Sequence, residues 1–243
     1  MYELLKSLAK ICFSSSFLRK NEHALRTIIA LRYRGSNYTC NLCKYSLRRF
    51  IKLENGDLLC PKCGSLPRNR RLWDIIKDEL EGKSILHFSP ATSLKKQIET
   101  IVTKQYITTD FEDEFEADKQ YDIKSIPEPD ESIDIIICYH VLEHIENDLK
   151  AMSELYRIIK PNGVCYIQTP FRAGDILEED RIMTKKERLK LFGQEDHIRV
   201  YSIDGLCERL IDVKFRVIIR EMESNTYNES GFNQQENIII CYK

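Results

Sequence analysis

The chain has 243 residues, enough for one generous domain or for one domain and a small module. With 42% hydrophobic and 31% charged residues, it has the composition of an ordinary globular protein and not of a disordered or fibrous one. A formal net charge of −1 argues against a dedicated nucleic-acid binder, although the balance is uneven: residues 1–35 carry +5, leaving the rest near −6.

No apolar run approaches the roughly 20 residues needed to span a bilayer. Lys6 and Lys10 also interrupt the hydrophobic region that a signal peptide would need. A cytoplasmic chain is therefore the expectation, with its nine cysteines reduced or metal-bound and not paired as disulfides. Residues 1–35 predict one or two amphipathic helices: Leu4, Leu5, Leu8, Ile11 and Cys12 share a face. Ser14-Ser15-Ser16 break the pattern, and Leu25, Ile28, Ile29 and Leu31 resume it. This basic extension is expected to pack on the main domain. The alternative is peripheral contact with an anionic membrane or a lipid-linked substrate.

Residues 36–66 carry Cys40-Asn41-Leu42-Cys43 and, after sixteen intervening residues, Cys60-Pro61-Lys62-Cys63. Two CxxC turns at this spacing offer four thiolates in the tetrahedral arrangement that zinc prefers. Four protein ligands close the shell, so the predicted zinc is structural, with a short hairpin expected around Glu54-Asn55-Gly56-Asp57. Residues 67–82 predict a linker helix reaching about Leu80. Its Arg68, Arg70 and Arg71 either meet an anionic substrate or, the favoured reading, pin the zinc module to the next domain by ion pairs.

From residue 83 to 243, strands and helices alternate. Ser84–Phe88 and Gln105–Thr109 read as strands around a helix at Ala91–Thr103, and residues 112–118 read as a solvated acidic stretch. Ile133–Cys138 is an almost unbroken apolar run, as in a parallel strand covered on both faces. Asn147 caps the next helix, Lys160-Pro161-Asn162-Gly163 stops it, and Val164–Gln168 forms the following strand. A long connection, a helix from Ile203 to about Leu210 and strands at Phe215–Arg220 and Glu236–Tyr242 complete an α/β sheet that is mostly parallel.

Asp134, Leu142-Glu143-His144, Glu154-Leu155-Tyr156-Arg157 and Lys160-Pro161-Asn162-Gly163 together resemble class I S-adenosylmethionine (SAM) dependent methyltransferases of the type 11 subgroup. The likeness extends more thinly from about Gly82 to the end of the chain. It implies a Rossmann-like sheet of seven strands, the last antiparallel, with SAM beyond the carboxyl ends of the central strands. The implied cofactor residues are His87, Phe88, Ser89, Pro90, Asp110, Phe111, Asp122, Ile123, Cys138 and Tyr139. Asp110 would take both ribose hydroxyls, Phe111 would pack on adenine, and Asp122 and Ile123 would form an adenine-contacting turn after the third strand. The first loop, Ser89 to Ser93, departs from the pattern because it contains no glycine, and His87 stands where the family places an acid.

The family places its acceptor where Cys138, Tyr139 and His140 end the fourth strand. His140 is the candidate base for a hydroxyl acceptor, with a pocket-wall role as the alternative. Leu191 to Tyr201 resembles an FGQxDHxRxY signature of related enzymes that carry an N-terminal CxxC module. It suggests a lid over the substrate, with His197 as a second candidate base. Tyr139, His144, Phe171, His197 and Arg199 are the candidate substrate contacts. The expected function is methyl transfer to a small molecule, at oxygen, with no nucleic acid involved. The alternatives are an RNA or protein methyltransferase that uses the zinc module to bind substrate, and a non-catalytic binding protein. His140-Val141-Leu142-Glu143-His144 also matches the HxxEH pattern of some zinc proteases, but the sequence shows no third ligand.

Overall fold

The computed structural model describes residues 15–179, 183–224 and 227–243, with side chains from residue 21 onward. The amphipathic face expected at Leu4–Cys12 lies outside the described residues. Two units make up the chain. One comprises the residues up to Asp78 together with Ala91–Thr100 and Glu223–Glu236; the other comprises Glu79–Pro90, Ile101–Met222 and Asn237–Lys243.

In the first unit, helix α1 (Ser15–Leu31) turns inward with Ala30, and Tyr33 follows it into the interior. The face predicted from apolar spacing is corrected: Ile28 and Leu31 are 68% and 65% exposed. Half-buried Arg26, paired with Glu22 at 2.7 Å, takes part of the inner surface instead. Strands β1 (Arg34–Thr39) and β2 (Ser46–Leu47) pair antiparallel, as do β3 (Ile51–Lys52) and β4 (Leu58–Leu59). The second pair is the hairpin expected around Asn55-Gly56. Helix α2 (Pro67–Ile76) opens with proline at its first turn and stops short of Leu80.

Of the arginines of α2, Arg68 and Arg71 do form ion pairs, with Asp57 at 3.8 Å and Glu236 at 3.7 Å, both within the first unit, while Arg70 acts differently. Arg70 is fully buried and donates to the carbonyls of Leu58, Ser65, Ser230 and Gly231 at 2.5–2.8 Å, with its guanidinium 4.4 Å from the Phe50 ring. Arg71 lies 3.8 Å from the Phe232 ring and 3.7 Å from Glu236. These contacts hold the first unit together from within. Gly231 has φ of 64°, and a Cβ there would sit 2.5 Å from Phe50, so a side chain would strain the backbone and push the Phe50 ring away. Helix α3 (Thr92–Ile98) is shorter than expected; Thr100 turns its hydroxyl onto the Gln97 carbonyl where the helix ends.

The second unit is built on a sheet. β5 (Ser84–Phe88) lies between β6 (Gln105–Thr109) and β7 (Ile133–Tyr139), all parallel, and β7 pairs parallel with β8 (Ile159–Gln168). After β8 come β9 (Phe171–Arg172), β10 (Leu177–Glu178) and β11 (Arg199–Ser202), a small separate sheet in the order β10-β11-β9. The main sheet closes with β12 (Arg216–Glu223) and β13 (Gln235–Tyr242), in the order β12-β13-β8-β7-β5-β6, and β13 runs antiparallel to β8. Helices α4 (Asp148–Ile158), α5 (Lys185–Phe192) and α6 (Ile203–Asp212) complete the unit.

Among the described residues the sheet has six strands, not the expected seven. No third strand forms ahead of the Asp122-Ile123 turn, and the remnant of one is a single parallel bridge between Thr109 and Lys119. The preceding stretch is mostly charged, so Ile123 and Ile126 plug into the core as isolated anchors, with Tyr121 packed against it. The connection expected to be a loose lid is also more ordered than that, since it carries α5 and the three short strands.

The motif that carries the family resemblance is largely scaffold. Asp134 accepts from the Ser84 amide at 2.9 Å and from Lys160 at 2.7 Å, tying β5, β7 and β8 together. Glu154 accepts from the Ile126 amide at 3.0 Å, and Arg157 donates to the carbonyls of Ile126 and Glu128 at 2.7 and 2.8 Å. Asn147 caps α4 through the Lys150 amide as expected. Lys160–Gly163 ends the helix but lies within β8, which already pairs at Ile159 and breaks register before Val164. Gly163 is required there, because a Cβ would fall 2.7 Å from Ile159 and 2.9 Å from the Lys160 carbonyl. Beneath lies a continuous core in which Ile136, Leu155, Ile158 and Ile239 are fully buried, each contributing about 1.5–3 kcal/mol.

Candidate functional site

The carboxyl ends of β5, β6 and β7 border a cleft of about 310 Å³ within the second unit. Parallel α/β sheets present their ligand sites at this edge. Two non-glycine residues there are held in the left-handed region, Ser89 after β5 (φ 44°) and His140 after β7 (φ 55°). Each costs about 1–2 kcal/mol and persists only where the surroundings impose it. Backbone bonds do impose it, from the Ser89 amide to the Thr109 carbonyl and from the His140 amide to the Gln168 carbonyl, both 2.8 Å. Ser89 thus takes the conformation for which glycine is ordinarily used, and the glycine-free loop keeps its shape.

Phe88, Ser89, Phe111, Asp122, Ile123 and His144 line the cleft. Phe111 is 54% exposed at its edge, an open aromatic surface for a base to stack on. Tyr121, Lys124, Val141 and Glu146 also line it and were not anticipated; their signal was only proximity to strand ends. Asp110 is absent from the lining. Its Oδ1 accepts from Ser89 Oγ at 2.8 Å, and Oδ2 accepts from the amides of Glu114 and Phe115 at 2.7 and 3.1 Å. The carboxylate therefore also organises the acidic loop, and a ribose would have to replace Ser89 on Oδ1.

His87 is not at the cleft. It alternates to the other face from Phe88, is buried, and meets the Tyr106 hydroxyl through Nδ1 at 2.9 Å. Pro90 and Tyr139 are buried off the lining, and Cys138 is part of the core, where burial pushes its thiol up. Phe171 packs against the same core and does not face the cleft. Arg199 does not line the cleft either. It is buried and donates to the carbonyls of Leu142, Ile145 and Glu146, and to Glu178 at 3.0 Å, bracing the turn after β7.

On the acceptor side, His140 Nδ1 lies 3.4 Å from Glu143 Oε1. Residues 142–144 form a 3₁₀ turn, so His140 and His144 do not share a helix face as the protease-like motif would require. His144 Nδ1 is 3.3 Å from Asp196, and its ring stands edge-on to His197 at 4.7 Å. Burial pushes the Glu143 carboxyl up, but the neighbouring His140 and His144 outweigh it and hold it below the usual range. Burial also lowers His197, which favours the neutral ring.

In the first unit, the Sγ atoms of Cys40, Cys43, Cys60 and Cys63 all lie within 4.8 Å of one another, with Cys40–Cys63 and Cys43–Cys60 both at 3.7 Å. Sulfurs at the corners of a tetrahedron with Zn–S bonds of about 2.3 Å stand about 3.8 Å apart, so the donor set fits zinc. Ser65 Oγ, 3.4 and 3.2 Å from the Cys40 and Cys63 sulfurs, adds an outer hydrogen-bonding partner. None of the eight described cysteines forms a disulfide.

A family model described as "Methyltransferase domain" matches residues 65–218, more than half of the sequence. The chain belongs to this family. As a methyltransferase domain it shares its fold with a SAM-dependent methyltransferase from Archaeoglobus fulgidus (TM-score 0.53, 16% identity, 72% of this chain and 93% of that one). A second structure with this fold is a SAM-dependent methyltransferase from Mesorhizobium loti (TM-score 0.52, 11% identity, 70% and 97%). Among curated proteins, it is 34% identical over 50 residues to a probable SAM-dependent methyltransferase of Mycolicibacterium smegmatis, covering 21% of this chain and 20% of that protein. It is 35% identical over 78 residues to a ubiquinone biosynthesis O-methyltransferase of Rickettsia bellii, covering 32% of this chain and 27% of the relative. The chain therefore spans only a fifth to about a quarter of the length of these curated relatives. Among the described residues, no helix is long and apolar enough to cross a membrane.

Proposed function

We propose that this methyltransferase domain, in the manner of the type 11 subgroup, transfers a methyl group from SAM to a hydroxyl oxygen of a small molecule: a sugar, a glycan precursor or a secondary metabolite. We also propose that Cys40, Cys43, Cys60 and Cys63 hold one structural zinc ion. The observation that carries the first reading is the cleft at the strand ends, with the exposed aromatic ring of Phe111; the His140–Glu143 pair at the end of β7 adjoins the lining residue Val141 without lining the cleft itself. Asp122 and Ile123 fit the adenine end, Ser89 brings its backbone close in the left-handed conformation, and Asp110 stands behind Ser89 for the ribose. Bound there, SAM supplies an electrophilic methyl group.

The chain's own part is proton transfer and positioning. A hydroxyl that attacks the methyl must lose its proton, and His140 is the base that takes it. Glu143, 3.4 Å from Nδ1, orients the imidazole through Oε1. His140 follows a strand whose position the sheet fixes. The basic first helix, with Ile28 and Leu31 outward beside Arg32, supports peripheral contact with a membrane or a lipid-linked acceptor.

The test is His140→Ala with labelled SAM and a panel of hydroxyl acceptors. SAM affinity should be retained while turnover falls by about 10²–10⁴-fold. Loss of turnover in His197→Ala at unchanged acceptor affinity, with only a mild effect at His140, would transfer the role to His197.

A further inference from the structure

We infer that Glu143, His144 and His197 form a binding site for a divalent transition-metal ion, separate from the four cysteines. The three residues come from two segments more than fifty positions apart, and their ligand atoms all lie within 4.8 Å of one another. Glu143 is 0% exposed, and neither of its carboxylate oxygens has a hydrogen-bond partner among the described residues. His140 approaches Oε1 at 3.4 Å and leaves Oε2 unaccompanied. Nδ1 of His197, 2% exposed, is likewise without a hydrogen bond.

A buried carboxylate is retained where it is paired or coordinates a metal, and an imidazole beside it is the complementary ligand. Two imidazoles and one carboxylate suit zinc, iron, cobalt or manganese, and leave coordination positions open. Asp196, 3.3 Å from His144 Nδ1, is the kind of outer carboxylate that orients a metal-bound histidine. His144 also lines the cleft, so the open positions would be reached from there. The site stands without the methyl-transfer reading. Only its use, to present an acceptor oxygen to the cofactor, rests on that reading.

Manganese separates the two sites, because carboxylate and imidazole suit it better than thiolates do. The full chain, with its thiolate site zinc-loaded, is titrated with Mn²⁺ and followed by electron paramagnetic resonance. Cobalt is followed in parallel by visible absorption lacking thiolate charge-transfer bands. The expected result is one ion per chain, with affinity reduced at least ~10–100-fold in Glu143→Gln and His197→Ala. Circular dichroism and denaturant midpoints report whether these buried variants fold; if they do not, His144→Ala, at a more exposed position, decides the question. Folded wild-type chain that binds neither ion, or binding unchanged in folded His144→Ala, would overturn the inference. No SAM or acceptor is needed, so a failed methyl-transfer assay leaves the result intact.

Discussion

Ser89 offers a direct test of how a glycine-free loop can serve a methyltransferase cleft. Its φ of 44° places an L-residue where the Cβ crowds the backbone, a cost of about 1–2 kcal/mol. Its hydroxyl offsets that cost through a 2.8 Å bond to the buried Asp110 carboxylate, about 1.5–3 kcal/mol for a bond to a charged group. Ser89→Ala keeps the strain and loses the bond, so it should lower stability by about 1.5–3 kcal/mol. Ser89→Gly loses the same bond but also the strain, offset by about 0.5–1 kcal/mol of added chain entropy. The glycine variant should therefore be the more stable of the two, by about 1 kcal/mol on these opposing terms. It should also bind SAM at least as tightly as wild type, because Oδ1 of Asp110 is released for the ribose. Urea denaturation and calorimetric titration with SAM measure both quantities. If the alanine variant is as stable as the glycine variant, the loop is not strained; if Ser89→Gly binds SAM more weakly, Ser89 itself holds the cofactor.

Asp110→Ala should weaken SAM binding at least ~tenfold, and should loosen residues 110–118, visible as faster amide exchange at Glu114 and Phe115; unchanged affinity would remove Asp110 from the cofactor site. Cys40→Ser should abolish stoichiometric zinc and destabilise the first unit, since binding energy in such a site is also folding energy; protein prepared without chelator and containing no zinc would refute it. Asp134→Asn should cost about 1–2 kcal/mol near pH 7, after allowing for the partial exposure of the pair. Burial raises that carboxyl, but Lys160 and the Ser84 amide outweigh it and hold it below its ordinary value. The folded state therefore binds fewer protons than the unfolded one. The contribution is complete above the unfolded value of about 3.9 and is lost as pH falls through the lower folded value. Wild type and variant should converge in acid, and a difference independent of pH would rule out the ion pair.

The sequence showed most where side chains repeat or punctuate locally. β5 and β6 have the bounds read from the sequence, β6 from its β-branched and aromatic residues, and Asn147 caps α4 as its position before the helix suggests. The third strand of the family pattern is absent because the stretch between β6 and β7 buries only isolated side chains, Ile123 and Ile126, and has no continuous apolar face. Arg199 and His87 have the residue types of a site but were claimed by neighbours distant in sequence, the turn carbonyls and Tyr106. The same blindness hid the cluster at Glu143: the protease-like motif was visible, but its companion His197 lies on the far side of β8 and α5 in the chain. Periodicity also misjudged α1, since it assigns apolar residues inward and cannot foresee a half-buried Arg26.

The guanidinium of Arg70 has a bearing on how the chain matures on the ribosome. Two of its four carbonyl partners, Ser230 and Gly231, are synthesised some 160 residues after it. Until they emerge, the first unit carries a buried cation with half of its acceptors missing, a state expected to be open. The cysteine knuckles, which precede the second unit in the sequence, therefore close only after it has been made. A nascent chain stalled anywhere before residue 230 should expose them to protease even with zinc present, whereas a chain that includes Ser230 and Gly231 should protect them.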